Sequence, residues 1–160
     1  MPDRAARLLY WDADVLLSWL EDHPERAPLI ELLLGDARSG KLEVVTSILS
    51  QVEVAYSAAE RMSNALSPDV ESTINDLWAP GAPIKIVEVH PLIAARARTL
   101  IREGVPRGWS GLRANDAIHL ATAQHLGVVE FHTYDIKLCR YEGIVGFPIC
   151  EPRTFEPRIV

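Results

Sequence analysis

Asp12 and Asp14 interrupt an apolar run, LLYWDADVLL, at residues 8–17. A buried carboxylate without a partner costs on the order of several kcal/mol, so acids placed there need a reason. Three further acids sit in similar settings: Glu53 in VVTSILSQVE, Asp116 in RANDAIHLATA and Asp135 in FHTYD. Carboxylates packed together repel and raise one another's pKa. A hard divalent cation removes that conflict: Mg2+ takes oxygen ligands and keeps several waters. Such an ion orients water and stabilises charge on a phosphodiester oxygen. Asp12 would then be a metal ligand delivered by a strand.

Each acid also has a plainer reading. Asp12 could end a strand in a turn, and Glu53 could close a capping box with Ser50 in SQVE. Asp116 suits a helix N-cap, Asp135 a turn, and Asp14 a solvated turn or N-cap. Their joint placement separates the readings, and that depends on the elements around them.

Residues 7–12 read as a buried first strand, 42–46 as a second, 84–89 as a third and 128–132 as a fourth, with 147–150 a short last strand. Between them, 29–37 reads as a helix with Gly40 just past its end. Ile48, Val52, Ala55, Ala59 and Met62 recur at helical spacing, predicting one helix over 48–62. Ser67-Pro68 opens a helix that runs to about Trp78. Residues 91–104 and 115–126 are further helices, the second stopped by Gly127. Residues 105–112 form a loop, 136–140 one helical turn, and the tail from Glu151, with Pro152 and Pro157, is extended.

Strands alternating with helices predict an α/β chain, three layers around a mainly parallel sheet. In open α/β sheets ligands bind beyond the carboxyl ends of the strands. Asp12 and Asp135 follow strands, and Glu53 and Asp116 lie near helix starts at the same edge. Four acids from distant parts of the chain are thus expected to meet.

In this order the segments resemble the PIN-domain nucleases, particularly the VapC-type toxins of bacterial toxin–antitoxin systems. The resemblance runs from about Leu8 to Pro148 and is strongest in NDAIHLATA, residues 115–123. LLYWDADVLL, TSILSQVE and HTYD follow for the other acids. It implies a PIN-like α/β/α sandwich, a single domain over 1–160 with its core at about 7–150, and a Mg2+- or Mn2+-dependent ribonuclease. Carried over, Asp12 and Asp116 are the main metal ligands, with Glu53 and Asp135 supporting them and completing the catalytic set. Thr133 matches a hydroxyl often found near the site, and Ser47 is either a neighbour of the ligands or a helix cap. Many members carry Thr or Ser after the first acid and then Asn or Ser, where this chain has Ala13 and Asp14. The likeness further implies an RNA substrate, a cognate antitoxin and a homodimer.

WDADV also fits, at first sight, the D-x-D motif of haloacid-dehalogenase-type phosphatases, with Asp12 as nucleophile and Asp14 as general acid/base. Leu16 stands where that family has Thr or Val, and no late acid pair follows a strand. A non-catalytic PIN-like binding module would keep the fold without needing all four acids.

His119 and His125 are off the spacing of a two-histidine metal site and read as packing or surface residues. Arg107, Arg113, Lys137 and Arg140 flank the acids and could hold phosphates, and Trp109, in GVPRGWSG, could face RNA. The net charge of −6 argues against a general nucleic-acid binder, an objection that weakens once a cation occupies the carboxylates. No run of apolar residues is long enough for a membrane span, and the polar N-terminus is not a signal peptide. Cys139 and Cys150 suit free thiols in a cytoplasmic protein.

Overall fold

The computed structural model describes residues 6–109 and 111–155. Residues 1–5, Ser110 of the expected loop, and residues 156–160 of the expected tail, with Pro157, lie outside the described residues.

A five-stranded parallel sheet runs in the order β3-β2-β1-β4-β5. The strands are β1 Arg7–Trp11, β2 Leu42–Ser47, β3 Ile84–Val87, β4 Glu130–His132 and β5 Ile149–Cys150. In β1, Tyr10 lies opposite Val45 on one side and Phe131 on the other. The connections carry α1 Ala13–Leu20, α2 Ala27–Arg38, α3 Leu49–Glu53, α4 Ala58–Ser63, α5 Pro68–Trp78, α6 Pro91–Gly104, α7 Ala114–Leu126 and α8 Glu142–Val145.

The pleat sends alternate side chains to opposite faces, and both faces are buried. Leu9 and Trp11 enter a core with Val15 and Leu16 of α1, Ile30 and Leu33 of α2, and Leu77 of α5. Tyr10 and Phe131 enter the other core, with Ile93 and Leu100 of α6 and Leu120 of α7. Each such aliphatic side chain removed from water contributes roughly 1.5–3 kcal/mol. The expected three-layer architecture is therefore the observed one. Strand order reverses between β1 and β4, and that switch point is where a crevice opens in sheets of this kind.

Several local expectations change. The helix expected over 48–62 is two short helices, α3 and α4, because the backbone leaves the helix at Val54 and restarts at Ser57. Ser57 and Glu60 form a capping box, and the Glu60 carboxylate also accepts from Ser67 N at 2.7 Å, tying α4 to α5. The stripe that suggested a buried face points outward: Val52 is 74% and Met62 85% exposed. Helix α1 was hidden in the apolar run and begins at Asp12, whose side chain accepts from Val15 N at 3.3 Å. The expected loop at 105–112 contains a 3-10 turn, Val105–Arg107, and the turn expected at 136–140 is a 3-10 helix, Ile136–Tyr141, capped by Asp135. α5, α6 and α7 lie where capping and periodicity predict. Both cysteines are free. Among the described residues no helix is long and apolar enough to cross a membrane.

Candidate active site

Each acid reaches the carboxyl edge of the sheet by a different local device. β1 delivers Asp12, which is 5% exposed and accepts Val15 N as the N-cap of α1. Its backbone N–H donates to His132 O across the switch point at 3.3 Å. Glu53 is the last residue of α3, directly after β2. Asp116 lies in the first turn of α7, not at its cap, which is Arg113. Asp135 caps the 3-10 helix after β4 by accepting from Lys137 N at 3.0 Å, while its own N–H donates to Thr133 Oγ1. Its plainer role as a turn residue is therefore filled as well.

Electrostatics show which acids feel one another. Burial and, after it, the charge of Asp14 push the Asp12 carboxyl up to about 7, against a hydrogen bond from Thr133 that lowers it. The carboxyl of Asp14 is raised by partial burial, then by the charges of Asp116 and Asp135, with Glu53 adding to them. Asp14 is exposed as a residue, yet it is the acid that senses the three others. Asp14, though open to solvent, thus lies near enough to the other acids to feel their charge.

Glu53 behaves differently. Partial burial opposes its ionisation, but hydrogen bonds from His119 and Asn115 outweigh that, and its pKa is lowered. His119 Nε2 lies 2.6 Å from Oε1 and Asn115 Nδ2 3.2 Å from Oε2. His119 is thus neither a packing nor a surface residue but a partner of a candidate site acid, 1% exposed. In the sequence, Asn115 and His119 stand one turn apart on the helix that carries Asp116, but nothing there marks Glu53 as their partner. The capping box proposed between Glu53 and Ser50 does not form, since the Ser50 hydroxyl instead meets Thr46 Oγ1 at 2.7 Å.

Ser47 is buried, and its hydroxyl accepts from Leu49 N at 3.2 Å in the turn ahead of α3, whose N-cap position is Ile48. Among the cations, Arg113 binds Asp116 and Lys137 lines a cleft of about 330 Å3 with Asp116, Asp135, Arg113 and Arg140. Arg107 is directed back to Glu103 O at 2.7 Å. The Trp109 ring packs edge-on against Tyr141, 5.2 Å between centroids, with Arg107 5.5 Å over it, so much of its surface serves packing.

A second group of metal-ligand types is carried by β4 and β5. Glu130, His132 and Cys150 bring one donor atom each within 4.8 Å of one another. Their hydrogen bonds are already committed. Trp11 Nε1 donates to His132 Nδ1 at 3.1 Å, which leaves the imidazole proton on Nε2, 2.9 Å from Glu130 Oε2. Arg153 also donates to Glu130, from Nη2 at 2.5 Å. A cation on Nε2 would require the proton on Nδ1, facing the indole N–H. We read this group as a strut that ties the segment after β5 to the sheet.

With five carboxylates at one edge of a β3-β2-β1-β4-β5 sheet, the chain can be compared with known proteins. The family model of the PIN domain matches residues 9–144. The chain belongs to the PIN-domain family. This sets the phosphatase reading aside. No curated protein matches the sequence. Among solved structures, this PIN domain is similar to VapBC2 from Rickettsia felis bound to a promoter DNA fragment, at TM-score 0.64 and 12% identity, over 89% of this chain and 96% of that one. It is also similar to VapBC-1 from nontypeable Haemophilus influenzae, at TM-score 0.62 and 12% identity, over 90% and 97% of the two chains. A toxin–antitoxin complex from Klebsiella pneumoniae matches at TM-score 0.58 and 20% identity, over 92% and 99%. These likenesses extend the fold assignment over nearly the whole chain.

Proposed function

We propose that this PIN domain is a metal-dependent endoribonuclease and the toxin of a toxin–antitoxin pair. The observation that carries the proposal is the convergence of acids from separate segments: Asp116 and Asp135 line one cleft, and their charges, with that of Glu53, raise the carboxyl of Asp14. The donor set is all carboxylate oxygen, which suits Mg2+ or Mn2+ rather than a softer metal. Asp12 and Asp116 would hold the ion, with Glu53 and Asp135 supporting it and Asp14 adding negative charge. When bound, such an ion activates water and stabilises charge on the phosphodiester oxygens.

The chain's own groups supply the rest. Glu53, kept ionised by its donors, would bind the ion through water or position the attacking water. Arg113 and Lys137, which line the cleft with Asp116 and Asp135, would take phosphate oxygens. Such contacts position a single strand without reading its sequence.

A protein partner is supported by the outward stripe on α3 and α4 and the link after them. Val52, Tyr56, Met62 and Leu66 are exposed beside the helix that ends in Glu53. Apolar patches of this kind mark interaction surfaces. We assign this surface to a cognate antitoxin, whose cationic side chain would pair with the acids and block them. The solved relatives from Rickettsia felis and Klebsiella pneumoniae are complexes of that class. A single catalytic domain, homodimeric and cytoplasmic, completes the proposal.

The test is RNA cleavage by wild type, Asp12→Asn and Asp116→Asn with Mg2+, Mn2+ or EDTA. Wild type should cut RNA only with metal, and either variant should be inactive while folded. Cleavage in EDTA, or by either folded variant at the wild-type rate, overturns the proposal, and no cleavage by folded wild type with either metal favours a binding module. Growth arrest on expression without the partner tests the toxin role separately.

A further inference from the structure

We infer that His119 is a positioning residue for Glu53, locked in one tautomer by Tyr10, and that this buried relay sets how tightly the acidic edge holds a divalent cation. The inference rests on the reading of that edge as a metal centre.

The relay runs from the carboxyl ends of β1 and β2 to Glu53. Ser47 N donates to Tyr10 Oη at 3.0 Å, and Tyr10 Oη meets His119 Nδ1 at 2.7 Å. His119 Nε2 meets Glu53 Oε1 at 2.6 Å. The directions follow from what each group can do. A carboxylate only accepts, so the proton between His119 and Glu53 belongs to Nε2. The phenol takes the Ser47 N–H on a lone pair, which leaves its own O–H to donate. That proton faces Nδ1. A neutral imidazole with Nε2–H satisfies every contact, and the Nδ1–H tautomer would set a lone pair against the carboxylate.

Glu53 needs such a clamp. It ends a five-residue helix, where the helix dipole disfavours a carboxylate. Its donors come from α7, 62 and 66 residues away: Asn115 and His119, one turn apart. The same helix carries Asp116. α7 therefore supplies one candidate ligand directly and orients another. A histidine buried only for packing has no need of a partner at the site, whereas here the imidazole's donor is spent on it. Orienting partners behind metal ligands typically change metal affinity by about 10- to 100-fold when lost.

The experiment is Mn2+ titration calorimetry on wild type, Asp116→Asn, His119→Leu, His119→Gln and Tyr10→Phe, each checked by circular dichroism. His119→Leu should weaken Mn2+ binding about 10-fold or more. His119→Gln, which keeps a donor toward Glu53, should recover most of that loss, and Tyr10→Phe should fall between it and wild type. If Asp116→Asn binds Mn2+ as wild type does, the metal-centre reading itself fails. If Asp116→Asn loses binding while His119→Leu keeps wild-type affinity, the reading stands and the role of His119 is overturned. Equal losses in His119→Gln and His119→Leu also overturn it. Should His119→Leu not fold, nitrogen-15 NMR of the wild-type imidazole decides. The Nε2–H tautomer, with ring signals that move on Mg2+ addition, supports the relay. The Nδ1–H tautomer, or signals unmoved at saturating Mg2+, overturns it.

Discussion

Arg113 lies across the carboxylate of Asp116, three residues ahead of it on the entry to α7: Nε is 2.9 Å from Oδ2 and Nη2 3.5 Å from Oδ1. The guanidinium is largely open to solvent while Asp116 is mostly covered. A cation of the protein thus occupies a position that a metal ion would contest.

Two opposite effects should follow from Arg113→Ala. An exposed pair of this kind contributes about 0.2–1 kcal/mol, so Mn2+ affinity should rise by roughly two- to fivefold. RNA binding should fall at the same time, with a salt slope reduced by about 0.7, the value for one phosphate contact to a single strand. Calorimetry with Mn2+ and salt-dependent RNA binding by Asp116→Asn and its Arg113→Ala double variant check both halves. Unchanged RNA affinity would leave Arg113 as a partner of Asp116 alone.

Asp12 predicts the pH dependence of the metal-free protein. Its folded pKa is about 7, against about 3.9 for an unfolded aspartate. Between these values the folded chain holds a proton that the unfolded chain has released. Stability therefore falls as pH rises from about 4 to 7 and levels off above, by up to roughly 4 kcal/mol. Asp12→Asn should flatten that slope in urea titrations run in EDTA. A wild-type slope of the opposite sign would contradict the burial argument.

The segment after β5 is tied down by Arg153. Burial opposes the ionisation of Glu130, but Arg153 and His132 outweigh it and keep its pKa low. Arg153→Ala removes a charged donor from a buried carboxylate, and the half-exposed guanidinium keeps the loss moderate, at about 1–2 kcal/mol. The same loss should disappear at pH values where Glu130 is protonated. Urea denaturation at neutral and acid pH measures it.

Gly104 closes α6 against the packed aromatics. A Cβ there would sit 2.8 Å from Tyr141 Oη and 3.0 Å from Trp109 O. Gly104→Ala should cost about 1–3 kcal/mol by overpacking. The Tyr141 hydroxyl is buried and makes no hydrogen bond among the described residues. Adding Tyr141→Phe to Gly104→Ala should therefore recover part of the loss in thermal melts.

Local chemistry in the chain determined most elements and the set of acids. Ser67-Pro68, Gly127 and the apolar faces of 91–104 act within a turn or two of themselves, so their effect is legible from neighbours alone. The ends of β1 and β4 were equally legible, because each apolar run stops at the edge where its acid stands. Tertiary structure decided what depends on distant partners. Periodicity could not say that the stripe through Val52 and Met62 faces water, because exposure depends on which surfaces the rest of the fold covers. Spacing within α7 could not make His119 a site residue, because its partners come from β1 and from the end of α3. Nor could the D-x-D pair show that Asp14 senses three other acids, since charge acts through space and only the folded sheet edge brings those charges near.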